Sequence, residues 1–180
     1  MMQRHYRPTP PGGTVPVVVP GDVVLVREPG LVVWAGAVTV FPEGFQFTLL
    51  TLFDTSRVPP ADFALDVPDR GRMTWLEVRF ADGRRRGVDL NANTPPDQPQ
   101  RPQVTMQDGV WADGWFRSMW WVTPLPPPGA VELVIHLGGA DGLTGSGLLD
   151  GARLTEAASR ADVVWPQADG ANGPAGRPGA

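Results

Sequence analysis

Apolar and polar residues alternate most regularly between Trp115 and Leu137. Val131, Leu133, Ile135 and Leu137 fall on one side of an extended chain, with Glu132, Val134 and His136 on the other. A period of two fits a pleated strand with one face against a core. Trp115 to Thr123 reads as the preceding strand, and Pro124-Leu125-Pro126-Pro127-Pro128-Gly129 joins the two as a central hairpin. Proline holds φ and donates nothing to a ladder, so this corner must lie outside the sheet.

The same period recurs along the chain. Val15 to Val19 is extended, with Pro16 suited to an edge, and Asp22 to Arg27 forms a second short strand. Leu31 to Phe41 and Phe45 to Phe53 predict a long hairpin through Pro42-Glu43-Gly44, where Gly44 can supply a positive φ. Phe45, Phe47, Leu49, Thr51 and Phe53 share a face, while Leu50 and Leu52 interrupt the polar alternation opposite. That pattern predicts a central strand covered on both sides. Thr74 to Phe80 and Arg84 to Leu90 pair about Ala81-Asp82-Gly83, an Asp-Gly turn that tolerates the left-handed region.

Three stretches lack the period. Asp54 to Arg72 reads as a loop anchored by Phe63 and Leu65, and Asn91 to Asp113 as a long insertion. Gly138 to Gly147 reads as a glycine loop before a short strand, Leu148-Leu149-Asp150. A helix is predicted over Ala152 to Ala161, where Leu154, Ala157, Ala158 and Ala161 share a face and Asp150 caps the start. Trp165 is expected to dock the chain end.

About eight strands at this spacing, with one late helix, predict an all-β fold. Two antiparallel sheets pack face to face as a β-sandwich, Ig-like or jelly-roll-like, with a short C-terminal helix. The inward set is Phe45, Phe47, Leu49, Leu76, Val78, Phe80, Val131, Leu133, Ile135 and Leu137. Residues 1–13 form a flexible lead, 14–166 a single domain, and 167–180 a Gly/Pro/Ala tail with no means of burying itself.

Composition narrows the partners. The chain has 180 residues, of which 42% are apolar, enough for one domain with a core. Its 22 Gly and 21 Pro cluster in turns and at the ends, so they punctuate strands. All 15 basic residues are Arg, and the net charge of −4 argues against a general nucleic-acid binder. With no Cys there is no disulfide, thiolate nucleophile or Cys-based metal site. The apolar run Val15 to Val19 is too short for a signal segment, and no stretch approaches the roughly 20 residues of a membrane span. A soluble, cytoplasmic protein is expected.

Trp121-Val122-Thr123-Pro124-Leu125-Pro126-Pro127-Pro128-Gly129, Leu149-Asp150-Gly151-Ala152, Ala157-Ala158 and Trp165-Pro166 form a recurring arrangement. With Val17-Val18-Val19-Pro20-Gly21-Asp22 and Phe41-Pro42-Glu43-Gly44-Phe45, it resembles a group of small uncharacterised bacterial β-sandwich proteins. These share a tryptophan strand, a P-L-P-P-P-G corner and an L-D-G-x helix start near a final Trp. Thr123 stands where their pattern has a second aromatic. The resemblance implies a fold and a bacterial origin, and brings no activity.

Candidate chemistry is sparse. His5 lies in the lead, and His136 faces away from the core pattern, so no His-rich metal site can form. Ser118, Ser146 and Ser159 lack the elbow context of a nucleophile, Thr144-Gly145-Ser146-Gly147 included. Asp108-Gly109 and Asp113-Gly114 read as turns; with Asp141 they do not make a Ca²⁺-binding run. Arg84-Arg85-Arg86 reads as a solvated edge that resists aggregation. No catalytic residue, cofactor or metal is expected. Seven Trp are many for this length, and Trp111, Trp115, Trp120 and Trp121 lie close together. They are the candidate contacts, since Trp supplies bulky core or an amphipathic binding surface. The expected function is a non-catalytic interaction or structural module with another protein as partner. The alternative is a carbohydrate-binding module that reads sugar with exposed Trp.

Overall fold

The computed structural model describes residues 9–56, 75–89, 101–137 and 142–165. In chain order the strands are β1 (Thr14–Val15), β2 (Val17–Val19), β3 (Val23–Glu28), β4 (Leu31–Phe41), β5 (Gly44–Phe53) and β6 (Trp75–Phe80). They continue with β7 (Arg85–Asp89), β8 (Gln103–Ala112), β9 (Trp115–Thr123), β10 (Ala130–Leu137) and β11 (Leu143–Asp150). Helix α1 (Gly151–Arg160) and β12 (Asp162–Val163) follow. Every described pairing is antiparallel.

The large sheet runs β2-β4-β5-β9-β8, with β3 pairing the other half of β4. The small sheet runs β11-β10-β6-β7. The fold is the expected all-β sandwich with one short C-terminal helix. All ten residues of the predicted inward set are buried. From the large sheet Phe45, Phe47 and Trp120 enter the same core as Leu76, Val78, Leu133 and Ile135 from the small one.

The β4–β5 hairpin turns through Pro42 and Glu43, as its alternation predicts. In β4 the inward positions switch from Leu31, Val33 and Ala35 to Val38 and Val40. A bulge between Gly36 and Thr39, with Ala37 at φ 49°, makes the switch. One extra residue moves the following side chains to the other face, so the bulge keeps the apolar set inside along a long strand. Gly44 does not supply the turn's positive φ. It is needed because a Cβ there would run into the Val122 carbonyl and the Trp121 ring. Strand β5 is central as expected, but Leu52 on its outer face is 43% exposed, so the strand is covered on one side only.

Three other expectations change. Residues 103–112, read within the long insertion, form β8, and Asp108-Gly109 lies inside it beside a bulge. As an edge strand β8 draws its ladder from β9 and buries little, which leaves no apolar period to read. Residues 143–150 form β11. Its inward positions include Gly145 and Gly147, where side chains would collide with Leu25 and Val23 of β3. Close approach of the two sheets erases the pattern there. Finally, β9 and β10 are not a hairpin: they belong to different sheets. The proline corner, with a cis Thr123–Pro124 bond, carries the chain across the sandwich, whose facing layers stand about 10 Å apart.

Helix α1 is seated on that corner. The Asp150 carboxylate accepts from the amides of Ala152 and Arg153 at 3.0 and 3.2 Å, the predicted N-cap. Gly151 N–H donates to the Gly129 carbonyl at 2.7 Å, and Thr155 donates to Pro126 at 3.3 Å. Leu154, Ala157 and Ala158 are buried beneath the helix. The expected single strand Val15 to Val19 is broken at Pro16 into β1 and β2. Strand β1 pairs with β12, and the amides of Val164 and Trp165 donate to the Gly13 carbonyl. The chain end thus docks through its backbone, whereas the Trp165 indole is 73% exposed. Phe63, Leu65, Asp141 and the tail 167–180 lie outside the described residues, as does most of the lead.

Candidate functional site

The four clustered tryptophans separate in space. On β9, Trp120 points into the sandwich and Trp121 away from it, as neighbours on a strand must. Both are buried nevertheless. Trp120 donates to Ser118 Oγ at 2.8 Å within the core. Trp121 is covered from outside by Phe41, edge-on at 5.4 Å between ring centroids. Trp111 faces inward at the far end of β8, stacked on Phe116 at 4.4 Å, and is 41% exposed. Trp115 is half-buried on the outer face of β9. The four therefore make no common platform of exposed rings.

The outer face of the large sheet instead carries two mostly apolar rows. One cross-strand row reads Val24, Trp34, Leu50, Arg117 and Val110; the next reads Arg27, Val32, Leu52, Trp115 and Ala112. Val24, Leu52 and Val110 are exposed, and Trp34, Leu50 and Trp115 are half-buried. Arg27, at the β3 end, and Arg117 are the charged residues within these two rows, and both are exposed. A contiguous apolar surface of this kind marks an interaction site more often than scattered apolar residues do.

The outer face of the small sheet is the opposite case. Glu77 is bound by Arg79 at 2.7 Å and faces Arg85 at 3.9 Å, while Arg79 also reaches Glu132 at 3.2 Å. The hydrogen bond from Arg79 is the main reason the Glu77 carboxyl is held below its usual range; the charges of Arg79, Arg85 and His136 act in the same sense, and burial opposes them. His136, on the outer side as predicted, meets the Thr144 hydroxyl through Nδ1 at 3.0 Å. The Trp75 ring occupies the space that a side chain at Gly87 would take. The Arg84–Arg86 run leads into β7, the edge strand, whose first residues are Arg85 and Arg86, while Arg84 pairs with Asp82 at 2.6 Å in the turn before it. Among the described residues, no three His, Asp or Glu side chains gather to hold a metal ion, and no helix is long and apolar enough to cross a membrane.

Sequence reasoning missed Trp34 and misread Leu50 and Leu52. Leu50 and Leu52 did carry a signal, a break in polar alternation. The break marks an apolar outer face here, and not a second covering layer. Comparison of the chain with protein-family models, with curated proteins and with solved structures gives no match in any of the three.

Proposed function

We propose that the protein is a non-catalytic β-sandwich interaction module that binds another protein through the outer face of its large sheet. The observation that carries this reading is the pair of rows that are apolar apart from Arg117 and Arg27, running from Val24 to Val110 and from Arg27 to Ala112. Such a surface suits a partner that buries aliphatic and aromatic side chains around Trp34 and Trp115. The proposed compartment is the cytoplasm of a bacterial cell, which fractionation of the native host checks.

The test uses Leu52→Glu, which places a charge in the middle of the apolar face. A partner recovered by wild type from its host and reconstituted from purified components should lose binding to this variant. It should retain binding to Leu148→Glu, which alters an exposed position on the small sheet. Equal binding to both variants refutes the assignment of the face. Carbohydrate binding is the second reading, and it rests on the exposed indole of Trp111. Retardation on polysaccharide gels that Trp111→Ala abolishes would favour it.

A further inference from the structure

Among the described residues, the 109–112 stretch of the β8 edge differs from the other sheet edges in having almost nothing to block pairing. The β2–β3 edge is interrupted by Pro20-Gly21 and preceded by Pro16. The β7 edge carries Arg85 and Arg86. The β11 edge lies against β3, where a side chain at Gly145 would strike the Leu25 carbonyl. Prolines, charges and covering elements are the usual means by which proteins prevent edge-to-edge association. Strand β8 has a bulge between Met106 and Asp108, and beyond it Gly109, Val110, Trp111 and Ala112 run straight, exposed and uncharged. Among the described residues, no strand pairs with this edge.

We propose that a second copy of this chain occupies that edge, pairing antiparallel about a two-fold axis at Val110. The occupant is identified by self-complementarity. With Val110 opposite Val110 of the second copy, Trp111 stands opposite Gly109, and Asp108 opposite Ala112. No like charges meet. On the inner face, each Trp111 covers the glycine of the other copy, beside the Phe116 ring that lies 3.4 Å from where a Gly109 side chain would begin. Shifting the axis to Asp108 would bring two carboxylates together, which disfavours that register. On the outer face the pairing joins two apolar rows into one surface across both molecules. Among the described residues the edges of β2–β3, β7 and β11 are blocked as above, so use of the β8 edge closes the assembly as a dimer.

The test exploits the absence of cysteine from the natural chain. Val110→Cys should form an intermolecular disulfide under mild oxidation much faster than Leu148→Cys, an exposed control on the small sheet. Sedimentation of wild type should show a concentration-dependent dimer, which Val110→Lys weakens about tenfold or more by setting two ammonium groups face to face. Leu52→Glu should leave this dimer intact, which separates failure of the edge from failure of the outer-face reading. A wild type that stays monomeric throughout overturns the proposal. So does a dimer indifferent to Val110→Lys, or equal cross-linking of the two cysteine variants.

Discussion

The indole nitrogen of Trp120 donates to the hydroxyl of Ser118, two residues earlier on the same face of β9, and both side chains are buried. The serine exists there to satisfy the one polar atom of the bulkiest residue in the core. Ser118→Ala should therefore cost about 1–3 kcal/mol, the penalty of an orphaned buried donor. Urea denaturation measures it. A cost no larger than that of an exposed Ser146→Ala would show that the indole finds another acceptor.

Acid should act on the small sheet through Glu77. Its carboxyl titrates below the ordinary value of 4.5 in the folded protein because Arg79 binds the charged form. A depressed folded value means that the stabilisation is complete above the unfolded value and is lost as pH falls through the folded one. The stability difference between wild type and Glu77→Gln should be constant at neutral pH and shrink below about 4.5. Thermal melts across that range check it. A difference that grows on acidification would contradict the sign.

The seat of α1 on the proline corner predicts an effect from one methyl group. A Cβ at Gly151 would lie 2.6 Å from the Gly129 carbonyl and 2.8 Å from that of Pro127. Both obstacles are backbone, so the helix start or the corner must move. Gly151→Ala should cost about 1–3 kcal/mol although alanine is the better helix former. Calorimetry of this variant beside Ala152→Gly, an exposed position in the same turn, separates the clash from helix propensity.

Much of the fold is legible in the sequence wherever one face of a strand meets the core and the other meets solvent. Strands β4, β5, β6 and β10 all announce themselves in this way, and Asp150 announces the helix. Strands β8 and β11 do not, for different physical reasons. Strand β8 is held by its ladder at an edge, and β11 by glycines that admit β3. The crossing of the proline corner is also invisible locally, because two alternating strands joined by a short connection read as neighbours in one sheet. At the candidate site, the density of tryptophan draws attention to Trp120 and Trp121, which are buried. The exposed apolar rows form only when register places Trp34, Leu50 and Leu52 beside residues far away in the chain.

The two-rung ladder of β1 and β12, with Thr14 opposite Val163, gives the sandwich one doorway through which the chain both enters and leaves. A unit built in this way can be spliced into an exposed loop of a host protein with short connectors. It can also have its ends joined and be reopened at the exposed Asp82–Gly83 turn, with neither sheet disturbed. Tension applied across the doorway would reach the clasp first and peel it open bond by bond, starting where Val164 and Trp165 donate to Gly13 and passing then to Thr14 and Val163. The clasp would act as a mechanical fuse, yielding at low force while the sandwich behind it stays shut.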